Sequence, residues 1–501
     1  MKTNRVGTLL VFLCFLFPAL ACSLLSSIPA SKPAGPSAAP PQADNPQGAT
    51  LVPTALQAQT EGSAQATSTN QNAVSIPAAT PPPSALSATL PTGLRITSLT
   101  SYKDSGGNFH VVGEVINGED KPISSIELTI TIKDASGKTL LKDSSGSIAN
   151  SLTFSPMLST LMPGKTSPFD YLLSSDAGVP DKFDVKITGQ NSGDVQTAYL
   201  QIQNAQIKTG ANDTVFLTGE IVNKGDKPVQ IYNMAGSLLD KDKKVLAAAA
   251  TNTYSSYLQP AGDSAQEDRT PFSISINNPG SPIDSYATYL EADQVDPLPG
   301  NSLVVNITNN YFDDSNEFHI VGSLTNDGTD TLHTFLVGGL YAKDGTALDA
   351  DVTITPIDIQ AGQSLPYDIS SFGNVNSNAD EAALVDNFTV QVDRSATVQS
   401  SHGSVVLKTL NDQLDKSADP TWQLNGQITN TSNEALANET VIIAVYDAKG
   451  ELVATDWTVI SPNGDSIAPG ETSSFKLFVY LDPAADRSSL TYKTFAAGEP
   501  K

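Results

Sequence analysis

The chain repeats itself at a period too long for a solenoid. Glycines at positions 113, 219, 322 and 426 stand 106, 103 and 104 residues apart, and each opens the pattern Gly-x-aliphatic-x-Asn. The four instances run from Gly113 to Asn117, Gly219 to Asn223, Gly322 to Asn326 and Gly426 to Asn430. Solenoid units have periods of about 20 to 50 residues, whereas a unit near a hundred residues has enough chain to bury a core of its own. The spacing therefore predicts four tandem domains, over residues 91–200, 201–300, 301–398 and 399–501.

Around each glycine the apolar residues alternate. Phe109, Val215, Phe318 and Trp422 lie four places before it, and Val111, Leu217, Ile320 and Leu424 lie two places before it. A period of two places these side chains, and the glycine, on one buried face of a strand, where the missing Cβ admits a large neighbour or a bulge. The opposite face carries His110, Phe216, His319 and Gln423, then Val112, Thr218, Val321 and Asn425, a mixed set expected to reach solvent. Turn-forming residues follow each asparagine, and a later turn, such as Leu161-Met162-Pro163-Gly164, leads into a strand bearing Phe169, Phe272, Tyr367 or Phe475. Short strands at regular spacing with scarcely any helical period predict an all-β chain of four immunoglobulin- or fibronectin-like antiparallel sandwiches.

The unit resembles the FxLYD domain, a bacterial extracytoplasmic β-sandwich module. The resemblance rests on the Gly-x-aliphatic-x-Asn strand end and on Val445-Tyr446-Asp447-Ala448-Lys449-Gly450, and it spans residues 94 to 498. Only the fourth copy keeps the Tyr-Asp pair.

The N-terminus supplies an address. Lys2 and Arg5 precede an apolar run from Val6 to Leu20, the form of an export signal over residues 1–21. Ala19-Leu20-Ala21-Cys22 resembles the bacterial lipobox, although Ala19 stands where that family usually has Leu. The resemblance implies that the Cys22 thiol carries diacylglycerol, palmitate among its acyl groups, and becomes the new N-terminus. Cleavage after Ala21 by a different peptidase, releasing a secreted protein, is the alternative. Residues 22–90 are rich in Ala, Pro, Ser, Thr and Gln and contain no aromatic residue, so they predict a disordered stalk. A stalk of roughly 69 residues spans about 45 Å as a coil and about 210 Å as extended polyproline II.

Chemistry is sparse. Cys14 and Cys22 are the only cysteines, so no disulfide staples the four domains. The 53 acidic and 28 basic side chains give a net charge of −25, which repels nucleic acid. No nucleophile elbow, His-Glu-x-x-His helix, phosphate loop or cysteine zinc site occurs, and the acidic runs Asp313 to Glu317 and Asn326 to Asp330 lack a complete EF-hand loop. His110 and His319 read as surface structural residues, Trp422 as core, and Trp457 as a solitary exposed-aromatic candidate. No catalytic residue, metal or cofactor is expected. The expectation is a non-enzymatic envelope lipoprotein, lipid-anchored at Cys22 to a bacterial membrane. Its sandwich array would act as a spacer or a surface for an unknown protein or polysaccharide partner. A carbohydrate-binding or adhesive protein is the alternative.

Overall fold

The computed structural model describes residues 93–194, 198–210, 213–262, 267–300, 302–400, 404–416, 421–460 and 466–501, all within one compact unit. Cys22, the signal segment and the stalk expected over 22–90 lie outside these residues.

Each copy opens with a three-stranded antiparallel sheet whose central strand ends at the repeated asparagine or, in the fourth copy, one residue before it. In the first copy, Phe109–Asn117 lies between Leu94–Lys103 and Thr166–Leu173. Thr214–Asn223, Phe318–Asn326 and Trp422–Thr429 hold the same central place in the second, third and fourth copies. A second sheet is built around the next aliphatic strand: Ile123–Lys133, Val229–Leu239, Phe335–Ala342 or Leu436–Tyr446. The inner faces of the two sheets meet in the core. In copy one, Val111, Val115 and Phe169 pack on Leu128, Ile130 and Val185, and in copy four Trp422 and Phe475 pack on Val441 and Ile443. The chain is thus all-β, with immunoglobulin-type sandwiches in series.

The repeated glycine receives a ring. Gly113, Gly219, Gly322 and Gly426 stand directly across the ladder from Phe169, Phe272, Tyr367 and Phe475. Each ring lies over the space that a Cβ would fill. On the other side of the strand, the register of the first strand slips near the glycine, between Ile96 and Ser98, Gln203 and Gln206, Ile307 and Asn309, and Leu410 and Gln413. The slip is a bulge, and it turns the first strand across the top of the sandwich.

The repeated asparagine closes the sandwich end with its side chain. The Nδ2 group of Asn117 donates to the carbonyls of Lys121 and Leu161, both at 2.8 Å, and its Oδ1 accepts from the Glu119 N–H at 2.8 Å. Asn223, Asn326 and Asn430 make the same three kinds of bond: to a carbonyl four residues on, to a distant turn, and from the N–H two residues on. All four asparagines are fully buried.

Successive copies dock by one recurring contact. The strand that follows the hairpin of the second sheet, Val245–Thr251, Ala347–Ile354 or Leu452–Val459, lies on the three-stranded sheet of the preceding copy. The first residue of that strand is held at each junction. Thr100 Oγ1 donates to the Val245 carbonyl at 2.6 Å, Thr218 Oγ1 to Ala347 at 3.0 Å, and Thr308 Oγ1 to Leu452 at 2.8 Å. This docking corrects the expectation that the outer face of the repeated strand meets water. His110, Val112, Phe216, Thr218, His319 and Val321 are all buried, because the next copy covers them. Only in the fourth copy do Gln423 and Asn425 remain half-buried.

Candidate functional site

Among the described residues, a cluster of buried titratable groups sits where the fourth copy docks on the third. A cavity of about 240 Å³ opens there. From the third copy, Phe318–Asn326 brings in His319, Ala347–Ile354 brings Asp351, and Ser364–Ile369 brings Asp368. The turn before His319 adds Glu317. From the fourth copy, Leu452–Val459 contributes Asp456 and Trp457, and Tyr480 follows the strand Thr472–Val479. Trp457 and Tyr480 remain 39% and 38% exposed, so aromatic faces border the opening.

His319 is the centre of this arrangement and is only 3% exposed, which corrects its reading as a surface residue. Its Nδ1 lies 2.7 Å from Asp368 Oδ2, and an ionised carboxylate only accepts, so Nδ1 carries the proton. The Tyr311 ring stacks on the imidazole, with centroids 4.7 Å apart and planes 10° from parallel, and the Tyr311 hydroxyl donates to the Tyr480 carbonyl at 3.1 Å. Burial works to lower the His319 pKa, yet the hydrogen bond and charge of Asp368, with Asp313 and Glu317 behind them, leave it raised.

The first copy repeats the motif. Tyr102 stacks on His110 at 4.4 Å and 10°, His110 Nδ1 pairs with Asp170 at 2.8 Å, and Asp104 stands 3.4 Å from His110 Nε2. His110 is likewise 3% exposed, so the surface reading fails there too. The second and fourth copies carry Phe216 and Gln423 in the histidine position and have no such cluster. The sequence spacing Asp104 to His110 and Asp313 to His319, six residues in each case, was the available signal. Asp351, Asp368 and Asp456 carry no such signal, since they come from three strands of two copies.

Burial pushes Asp351 up to about 7, against hydrogen bonds from the Val352 and Ser371 N–H groups and with the charges of Asp349 and Asp368 adding to the rise. Asp456 is likewise pushed by burial up to about 7, and Asp349, also buried, to about 6. Glu317 and Asp368 are raised by burial as well. The folded chain therefore holds protons that the unfolded chain, with ordinary carboxyls, has released. The resulting stabilisation is complete below about pH 4 and is lost as the pH rises through about 7. Thermal melts of the full chain in EDTA should fall steadily from pH 5 to pH 8, by on the order of 2–4 kcal/mol in stability. Asp351→Asn should flatten that slope, and a melting temperature that rises over the same interval would contradict the assignment.

The other sequence-singled residues lie elsewhere. The glycines and asparagines of the repeat build the sandwiches, Trp422 is core at 1% exposed, and Trp457 stands at the cavity mouth. Among the described residues no helix is long and apolar enough to cross a membrane.

No protein family matches the sequence, and no curated protein matches it. Among solved structures, 67 chains match, including the transglutaminase of red sea bream at 10% identity and a TM-score of 0.14. That match covers 40% of this chain, and the chain spans 30% of the length of the enzyme. A score this low carries no argument about activity.

Proposed function

We propose that the chain is a bacterial envelope lipoprotein, held to a membrane through acylated Cys22, whose four FxLYD-like sandwiches form a stiff arm presented outside the membrane to a protein or polysaccharide partner. The observation that supports a stiff arm is the docking strand, which repeats the same carbonyl contact at Val245, Ala347 and Leu452. Independent domains on flexible linkers have no reason to share buried side chains. Here Tyr289 of copy two joins the core of copy one, and Val321 of copy three joins that of copy four. Arrays of this kind gain stability from nearest-neighbour interfaces.

The anchor is tested by the intact mass of native, detergent-extracted protein. Cleavage before Cys22 with attached acyl chains is expected, and Cys22→Ala should lose both the acyl mass and the membrane association. Two acyl chains give stable anchoring at about 0.8 kcal/mol per buried methylene. An unacylated chain beginning at Cys22 and found in the medium would overturn the proposal.

A second reading, a carbohydrate-binding or adhesive protein, is favoured by the placement of Trp457 and Tyr480 beside buried carboxylates. Sugar rings stack on such faces while carboxylates accept their hydroxyls. That reading requires Trp457→Ala to abolish retention on purified cell-wall polysaccharide.

A further inference from the structure

We infer that Asp313, Glu317 and His319 form a binding site for a divalent first-row transition cation, with Zn²⁺ favoured over Mn²⁺ and Ca²⁺. This goes beyond the proposed role of the array and does not depend on the lipid anchor.

The three side chains place one ligand atom each within 4.8 Å of the others. The surrounding bonds leave those atoms free and aimed at one another. Asp313 Oδ1 is occupied by the N–H groups of Ser315 and Glu317, both at 2.8 Å, which fixes the carboxylate in its turn. Asp313 Oδ2 accepts no hydrogen bond, although Asp313 is only 5% exposed. His319 Nε2, on a side chain 3% exposed, also makes no hydrogen bond and lies 3.8 Å from Asp313 Oδ2. With Nδ1 donating its hydrogen bond to Asp368, Nε2 is the nitrogen that faces Asp313 and Glu317, and a cation bound there takes the place of its proton. A carboxylate holding the far nitrogen of an imidazole, so that the near nitrogen faces a metal, is the usual second shell of a histidine ligand.

The first copy shows the same scaffold with an amide in place of the second carboxylate. Asp104, Asn108 and His110 occupy the positions of Asp313, Glu317 and His319. There Asn108 supplies the missing donor, its Nδ2 bonding Asp104 Oδ2 at 2.9 Å and its N–H bonding Oδ1 at 2.8 Å. Glutamate in the third copy has no donor to offer. Two carboxylates and an imidazole nitrogen therefore converge where the first copy has a satisfied amide, and a cation that displaces the Nε2 proton satisfies all three. An O,O,N set suits Zn²⁺ or Mn²⁺, with water filling the open positions on the exposed Glu317 side, whereas Ca²⁺ prefers six to eight oxygens.

The test uses the full mature chain, stripped with EDTA and exchanged into metal-free buffer at pH 7, titrated calorimetrically with zinc chloride and melted with and without it. One saturable Zn²⁺ site and a zinc-dependent rise in melting temperature are expected. Glu317→Asn, which installs the first copy's amide at an exposed position, should weaken that site at least tenfold while leaving the metal-free melting temperature unchanged or higher. An absence of zinc binding, or a site unchanged in Glu317→Asn, would overturn the assignment. Tighter binding of Ca²⁺ than of Zn²⁺ would overturn the choice of metal.

Discussion

Alanine at Gly113 or Gly322 should unfold its copy, while alanine at Gly219 should only weaken it. A Cβ on Gly113 would stand far inside van der Waals contact distance of the Ser98 carbonyl oxygen and 2.6 Å from the Phe169 ring, and one on Gly322 would meet the Asn306 carbonyl oxygen and the Tyr367 ring in the same way. The carbonyl of the bulged backbone, unlike a ring tip, has no room to retreat, so the first and central strands must part. On Gly426 the nearest atoms are the Phe475 ring at 2.6 Å and Asp412 Cα at 3.2 Å, and on Gly219 they are the Phe272 ring at 2.9 Å and Ala205 Cα at 3.0 Å. Here the ring tip must swing aside, and the backbone need yield only a few tenths of an ångström. Overpacking of that kind costs about 1–3 kcal/mol, and the two carbonyl clashes should exceed it. The midpoint of the earliest transition in urea, followed for the four single variants of the full chain, ranks them. Equal loss at Gly219 and Gly322, or wild-type stability in Gly113→Ala, would show that the bulge is not held as described.

That series also marks where sequence reading succeeds. Alternation around the glycines places Val111, Leu217, Ile320 and Trp422 inward, and all four are buried. A period of two reports which residues share a face, and a face packed against the chain's own second sheet is visible in that way. Burial by a neighbouring copy is not. His110 and His319 are polar residues on the outer face, and their burial comes from docking strands more than a hundred residues along the chain. The cavity residues Asp351, Asp368 and Asp456 are separated in sequence and converge only when two sandwiches stack. Glu317 lay within an acidic run legible as oxygen ligands, and the shared Asp-to-His spacing pointed to the imidazole, but the orientation of Nε2 toward the carboxylates required the register of the strands. The asparagines were legible as strand ends, not as clamps, because their second carbonyl partner lies in a turn 33 to 44 residues away.

Those clamps carry the second large effect. Asn326 Nδ2 holds the carbonyls of Asp330 at 2.7 Å and Ile359 at 2.9 Å, while Oδ1 accepts the Gly328 N–H at 3.0 Å. Asn326→Ala removes one partner each from two carbonyls and one N–H at the closed end of the sandwich, where the side chain is fully buried, while the Ile359 carbonyl keeps the Leu332 N–H. A buried polar group left without a partner costs about 1–3 kcal/mol, and the Asp330 carbonyl and the Gly328 N–H lose theirs, so the loss should be about 2 kcal/mol or more. Asn326→Asp separates the two halves of the clamp. It keeps the acceptor and the shape but sets a carboxylate against two carbonyl oxygens, which at neutral pH should be worse than alanine. Buried between two acceptors, the aspartate is driven to take up a proton, and once protonated it regains one donor. The variant should therefore recover part of its stability as the pH falls from 7 to 5, beyond the gain of the wild type over the same interval. Denaturant midpoints of wild type, Asn326→Ala and Asn326→Asp at pH 5 and pH 7 decide the matter. An aspartate variant as stable as wild type at pH 7 would mean that solvent reaches the clamp and that the closure of the sandwich end rests on the turns alone.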